Sequence, residues 1–308
     1  MSIVLVARNR NMEPFREEIL KQDPNVEVEI WPAVSQPHRV QFAVAWNHPE
    51  GVLDQYPNLK AVSSLGAGVD HIFADSTLPQ SVRITRIVAP SLSDQMSDYI
   101  LTSVLNLMRH SEHYFRMHQN SEWSPQHSLS KKEITVGIMG LGELGVLAAR
   151  RLRVNGFRVT GWSRSPKVLD NIRTFSLEKL DEFLSQSNIL VCLLPLTSET
   201  DGILNLEVFK KMKRPSYVIN VARGRHLVEE DLIYALDTGQ ITRAVLDVFE
   251  KEPLPENHPF WNRKSITITP HVASVTDPEE AAEVIVENYK RLLSGMELMY
   301  EADRGSGY

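Results

Sequence analysis

Short apolar runs recur through the first third of the chain, at 3–7, 26–31, 42–45, 61–64 and 82–87, with amphipathic stretches such as 13–21 between several of them. Strand-length runs alternating with helix-period segments predict an α/β layer on a largely parallel sheet. A longer helical pattern follows over 94–117, with Tyr99, Leu101, Val104, Leu105 and Met108 on its apolar positions, and it reads as a link between two domains. The polar stretch 119–132, interrupted by Pro125, reads as a loop or arm. Beyond it a second and cleaner series begins, with strands predicted at 134–139, 157–162, 188–194, 217–221, 244–248 and 266–269 and a helix between each pair. Such a series is the pattern of a doubly wound nucleotide-binding fold. The closing helix, 278–293, has Pro at its start, acids in its first turn and Lys290 and Arg291 near its end, as the helix dipole favours.

Composition adds limits. A chain of 308 residues with 42% apolar content can bury substantial cores. A formal charge of −6, with acids and bases interspersed, gives no electrostatic reason to expect nucleic acid or an anionic membrane as partner. The single cysteine, Cys192, sits in an apolar run, so no internal disulfide can form, and the residue reads as a small core hydrophobe in a reducing compartment. The opening apolar run has no basic residue before it and reads as a first strand, not a signal peptide. No segment reaches the roughly 18 apolar residues of a membrane span, and a cytoplasmic protein is expected.

The segment 134–162 carries Gly140-Leu141-Gly142-Glu143-Leu144-Gly145 between a predicted strand and an amphipathic helix, with a second strand following at the expected distance. In that context the glycines have separate tasks: Gly140 makes the tight turn, Gly142 lets backbone approach a pyrophosphate, and Gly145 allows close helix packing, with the phosphates on the helix N-terminus. After the second strand, where this fold usually places an acid on the adenosine ribose, stand Ser163, Arg164 and Ser165. A carboxylate would accept the 2′-hydroxyl of NAD, whereas a guanidinium between hydroxyls pairs with a 2′-phosphate. NADP(H) is therefore the expected cofactor, with NAD(H) the alternative.

Three later segments each put a reactive side chain just after a predicted strand: VINVARGRHL with Arg223, AVLDVFEKEPLP with Asp247, Glu250 and Glu252, and ITITPHVASVT with His271. Taken with the glycine fingerprint, LLPLTSETDGILN and the N-terminal SSLGAGVD, these motifs span most of the chain, and it resembles the D-2-hydroxyacid dehydrogenase family. Through AWNHPEGVL, VGIMGLGELG, GWSRSPK and the ending ADRGSGY it resembles most closely the glyoxylate/hydroxypyruvate reductase A branch.

The resemblance implies two Rossmann-like doubly wound parallel-sheet domains with a cleft between them. The substrate-binding domain would be discontinuous, 1–97 plus 272–308, and the dinucleotide-binding domain would occupy 98–271. Arg223 would hold the carboxylate of a 2-oxo acid with its planar fork. His271 would give a proton to the carbonyl oxygen as hydride arrives. Glu252 would stand behind the imidazole, its negative charge favouring the protonated ring. The backbone of Ala67, Gly68 and Val69 would also hold the substrate carboxylate, and Trp46 would bound a pocket for short acids. Leu194, Pro195, Thr200, Val221, Ala222 and Asp247 would line the nicotinamide half, Asp247 accepting from the carboxamide. Glu250 reads as a surface acid, and no metal ligand cluster is visible.

The implied activity is NADPH-dependent reduction of glyoxylate and hydroxypyruvate by a homodimer that contacts its partner through residues 98–132. A bulkier 2-oxo acid such as phenylpyruvate, and a dinucleotide-sensing binding protein, are the competing readings. Asp98 replaces a Glu found in several relatives, and Asp201 stands where a basic or neutral residue is more usual.

Overall fold

The computed structural model describes residues 1–165, 167–305 and 307–308; Pro166, within GWSRSPK, and Ser306, within ADRGSGY, lie outside the described residues. The chain forms two compact units, Met1–Leu92 with Val275–Tyr308, and Ser93–Ser274.

The first unit holds β1 (Ser2–Ala7), α1 (Glu13–Gln22), β2 (Glu27–Ile30), β3 (Val40–Trp46), β4 (Ala61–Ser64), α2 (Asp70–Phe73) and β5 (Arg83–Thr85). Its sheet is parallel in the order β2-β1-β3-β4-β5. Val4, Val6, Ala43, Ala45 and Val62 point from these strands into one apolar cluster. Helix α3 (Pro90–Arg109) carries the chain into the second unit.

The helical pattern predicted over 94–117 is not one helix. It breaks at His110, whose φ of 55° is left-handed, and resumes as α4 (Ser111–Gln119). A left-handed residue cannot propagate a right-handed helix, and the period on either side conceals the break. The remaining strands and α-helices among the described residues of this unit are β6 (Thr135–Met139), α5 (Glu143–Val154), β7 (Arg158–Trp162), β8 (Arg173–Phe175), α6 (Leu180–Leu184), β9 (Ile189–Cys192), α7 (Leu206–Lys211), β10 (Tyr217–Asn220), α8 (Glu229–Asp237), β11 (Arg243–Leu246) and β12 (Ile266–Ile268). Seven strands form the sheet, one more than predicted; β8 is a three-residue edge strand, too short to show a periodicity.

The sheet order is β12-β11-β10-β9-β6-β7-β8, parallel throughout, so the strand order reverses beside β6. Neighbouring side chains alternate across it: Leu190 and Cys192 enter one buried cluster, Ile189 and Val191 the other. Cys192 is fully buried, and burial pushes its thiol up to about 12. Helix α9 (Pro278–Leu293) returns to the first unit; Asp277 caps it by accepting the Glu279 N–H at 2.9 Å, and its buried face packs on α1.

Candidate functional site

In a parallel sheet every strand ends on the same edge, and the sheet order decides which loops meet there. After β12, β11, β10, β9, β6 and β7 come, in spatial order, His271, Asp247, Arg223, Leu194 with Pro195, the glycine fingerprint, and Ser163 to Ser165. At about 4.8 Å per strand these five steps cover roughly 24 Å. Only an extended, two-ended ligand can engage the whole row.

The fingerprint is built as its glycines predict. Gly140 has φ +101°, and a Cβ there would lie 2.6 Å from the Leu193 carbonyl oxygen. A Cβ on Gly145 would lie 1.9 Å from the Gly140 oxygen, so helix α5 can begin only where this residue is glycine. Gly142 is different: a Cβ there would meet nothing within 4 Å, and no side chain caps α5. Open space in front of an uncapped helix N-terminus is a seat for a diphosphate. Leu141 is buried against Gly161, Leu144 packs on the core beneath, and Glu143 is exposed in the first turn.

At the end of β7 the Ser163 hydroxyl donates to the Ser165 carbonyl at 2.7 Å and is buried. A hydroxyl has one proton, so Ser163 shapes the turn, while Arg164 and Ser165 are exposed on it. At the end of β9, Leu194 is buried, and the Thr200 hydroxyl donates to the Pro195 carbonyl at 2.6 Å, closing the loop.

The β10 loop is held by residues that the sequence reading did not single out. Asn220 is fully buried; its amide donates to the Arg223 carbonyl at 2.9 Å and its oxygen accepts the Ala222 N–H at 3.2 Å. Val221 and Ala222 are buried, and Arg223 is partly exposed with its guanidinium donating to the Ala222 carbonyl at 2.7 Å. The fully buried His226 accepts the Arg223 N–H on Nδ1 at 3.2 Å, so its proton sits on Nε2, 3.2 Å from the Pro195 carbonyl. This imidazole ties the arginine loop to the β9 loop. A Cβ on Gly224 would lie 1.8 Å from the Phe249 carbonyl carbon, so the turn after Arg223 rests directly on the backbone before Glu252.

That contact puts Arg223 in the electrostatic field of Glu252. Glu252 is fixed at both oxygens: Oε1 accepts the Phe249 N–H at 2.9 Å, and Oε2 lies 2.7 Å from His271 Nδ1. Burial raises its pKa, but the His271 bond and charge, the Phe249 N–H and the Arg223 charge leave the carboxyl below its usual value. His271 and Glu252 remain partly open to solvent, with side-chain exposures of 28% and 29%. Asp247 is buried and accepts the Ala273 N–H on Oδ2 at 2.9 Å. Arg223, Glu252, His271 and Asp247 are thus brought together, and Glu250 is exposed.

In the first unit Trp46 ends β3 and lies over Gly66, where a Cβ would come within 2.8 Å of its ring; His71 meets it edge-on at 5.4 Å. The Ser64 hydroxyl donates to the Gly68 carbonyl at 2.6 Å and shapes the 66–69 turn. Trp46, Ala67 and Gly68 are partly exposed, and Val69 is buried. Asp98 and Asp201, the two departures from the family pattern, each form an ion pair, with Arg151 and Arg225.

Residues 101–273 match the model of the D-isomer specific 2-hydroxyacid dehydrogenase NAD binding domain. The glyoxylate/hydroxypyruvate reductase A of Serratia proteamaculans is 39% identical over 96% of each chain, and that of Klebsiella pneumoniae 40% identical over the full length of both. The chain belongs to the D-isomer specific 2-hydroxyacid dehydrogenases. It is an NAD(P)-dependent oxidoreductase. Among solved structures of the family, a dehydrogenase from Xanthobacter autotrophicus in complex with NADPH and MES is 39% identical, with a TM-score of 0.94 over 100% of this chain and 99% of that one. An NADPH-dependent glyoxylate/hydroxypyruvate reductase from Sinorhizobium meliloti, in complex with NADP and sulfate, is 35% identical, with a TM-score of 0.93 over 100% of both chains. Among the described residues no helix is long and apolar enough to cross a membrane, and no group of three or more His, Cys, Asp or Glu could hold a metal ion.

Proposed function

We propose that this enzyme reduces short 2-oxo acids with NADPH, glyoxylate to glycolate and hydroxypyruvate to D-glycerate. The observation that carries the reading is the 2.7 Å His271–Glu252 pair, on the sheet edge that also bears Arg223 and the glycine fingerprint. A carboxylate-backed imidazole with an adjacent arginine is the equipment for protonating the carbonyl of an anionic oxo acid.

NADPH, when bound, supplies the hydride. Its diphosphate fits the open space before Gly142 and the α5 N-terminus, and Arg164 with Ser165 fits the 2′-phosphate, while Ser163 holds their turn. Leu194, Pro195, Thr200, Val221 and Ala222 form the nicotinamide wall, and Asp247 keeps one lone pair on Oδ2 for the carboxamide. Arg223 clamps the substrate carboxylate in two bonds and orients the carbonyl, assisted by the Ala67–Gly68–Val69 backbone. Because Glu252 occupies Nδ1, Nε2 of His271 delivers the proton to the carbonyl oxygen. The ionised Glu252 steadies the imidazolium before transfer and fixes the ring plane.

Trp46, seated on Gly66, favours short acids over phenylpyruvate-like ones by its bulk. The names of the curated relatives and the cofactors of the solved ones support the same substrates and the same dinucleotide. A cytoplasmic homodimer completes the reading. Its contact would lie in residues 98–132, where Phe115 is 62% and Trp123 97% exposed.

The deciding experiment is the initial rate of NADPH and, separately, NADH oxidation with glyoxylate, hydroxypyruvate, pyruvate and phenylpyruvate. Fast turnover of the first two acids with NADPH is expected. A preference for NADH or for phenylpyruvate overturns the cofactor or the substrate part respectively.

A further inference from the structure

His271 has a left-handed backbone, φ +55°, which is uncommon for a residue with a side chain and persists only where the surroundings impose it. The imposing groups can be traced. Its N–H donates to the Asp247 main-chain carbonyl at 2.8 Å. Asp247 Oδ1 accepts the Val272 N–H at 2.9 Å, and Oδ2 accepts the Ala273 N–H at 2.9 Å. The same Oδ1 accepts the Thr269 hydroxyl at 2.6 Å. One buried aspartate therefore fixes the loop on both sides of the imidazole.

This chain of bonds continues away from the site. The Tyr99 hydroxyl, on α3, lies 2.6 Å from Thr269 Oγ1. Thr269 has a single proton and gives it to the carboxylate, so Tyr99 is the donor of the outer bond. Burial, countered by the bond to Thr269 and reinforced by the Asp247 charge, pushes the phenol up to about 12, which keeps that donor protonated. The direction is thus set throughout: Tyr99 O–H to Thr269 Oγ1, and Thr269 O–H to Asp247 Oδ1. Neither Tyr99 nor Thr269 has a part in the reduction as described above.

We propose that Tyr99 and Thr269 are positioning residues for the proton donor, acting through Asp247 to hold the 269–273 loop in the one conformation that presents His271. The inference rests on His271 being that donor. It predicts a loss in the chemical step with little in binding, because Thr269 bonds Oδ1 and leaves Oδ2, the acceptor proposed for the carboxamide, held by the Ala273 N–H.

The test uses the full-length enzyme with NADPH and glyoxylate. Tyr99→Phe should lower kcat about fivefold, the scale of one neutral hydrogen bond, and Thr269→Val about tenfold, because its bond ends on a charge. The double variant should be no slower than Thr269→Val alone, since both substitutions cut one chain. Thr269→Ser, which restores the hydroxyl, should recover most of the rate. The solvent deuterium isotope effect on kcat should rise in both slow variants, and the NADPH dissociation constant, read by fluorescence, should stay within about twofold of the parent. An unchanged kcat, losses that multiply in the double variant, or an NADPH affinity that falls in step with kcat would each overturn the proposal. His271→Ala separates the two levels: retained activity removes the donor reading and this inference with it. An inactive His271→Ala beside a fully active Tyr99→Phe removes the inference alone.

Discussion

Replacing Gly224 by Ala tests whether the site depends on the turn after Arg223 resting on the backbone before Glu252. The added Cβ would stand 1.8 Å from the Phe249 carbonyl carbon, 2.1 Å from the Glu250 nitrogen and 2.2 Å from the Phe249 oxygen. These are main-chain atoms, so no side chain can swing aside, and reaching ordinary contact near 3.4 Å requires the two loops to part by about 1.6 Å. One loop carries Arg223 and the other Glu252, so the separation acts on the clamp and on the support of the imidazole together. A misplacement on the order of 1 Å can cost about 100-fold in rate. Overpacking of this kind also costs about 1–3 kcal/mol of stability, a fall of several degrees in Tm for a chain of this size. Steady-state rates with NADPH and glyoxylate should therefore drop about 100-fold, while fluorescence titration finds NADPH affinity little changed, because the fingerprint lies on other strands. The assay is run well below the variant's measured Tm. A folded Gly224→Ala enzyme within about threefold of the parent rate would refute the argument.

Arg164→Ala should weaken NADPH use far more than NADH use, by about 10- to 100-fold in kcat/KM, the scale of a lost charged phosphate contact; equal losses with both cofactors would remove the 2′-phosphate role. His271→Ala should lower kcat about 100-fold or more while leaving NADPH binding intact, read by single-turnover kinetics and fluorescence titration. Glu252→Gln should lower kcat, since the imidazole loses the carboxylate that fixes its ring; an unchanged kcat means the 2.7 Å pair does not support catalysis. Because the folded-state Glu252 carboxyl is lowered, its contribution to stability is present above the unfolded value near 4.3 and disappears as pH falls through the folded value, so parent and Glu252→Gln melting temperatures should converge only in acid. Trp46→Ala should raise kcat/KM for phenylpyruvate relative to glyoxylate without shifting the pH profile, and an unchanged ratio would take Trp46 out of the pocket wall.

What the sequence made legible was governed by local rules. The parallel strands stood out because buried runs of Val, Ile and Leu are nearly continuous in sheets covered on both faces. Gly140 and Gly145 could be assigned because the positive φ of the first and the contact of the second with the Gly140 oxygen lie within the six-residue turn itself. The break at His110 was hidden because one left-handed residue leaves the apolar period on both sides undisturbed. β8 was hidden because three edge residues carry no alternation. Ser163 was read as a ligand for phosphate; the bond of its hydroxyl to the Ser165 carbonyl is a matter of backbone geometry that composition cannot carry. Gly224 and His226 show the same limit from the other side. The glycine matters because of Phe249, and the histidine because of Pro195, and both partners are distant in the chain.

The sheet order explains why so few side chains suffice for the chemistry. β10, β11 and β12 are neighbours, so the loops carrying Arg223, Glu252 and His271 converge without any of the three strands deviating from regular pairing. Precision is then added one layer below by bonds to main chain, three of them from buried polar side chains: Asn220 and His226 on the Arg223 turn and Asp247 on the loop of His271, while the partly exposed Glu252 is held by the Phe249 N–H. Main-chain contacts tolerate almost no change of partner, because a substitution leaves a buried N–H or carbonyl unpaired. In the first unit, by contrast, one aromatic ring lies over one glycine, Trp46 on Gly66. On the function proposed above, reaction and specificity are separable: bonds to main chain hold Arg223, Glu252 and His271 in the second unit, and substitution of Trp46 in the first is the change expected to alter the choice of acid.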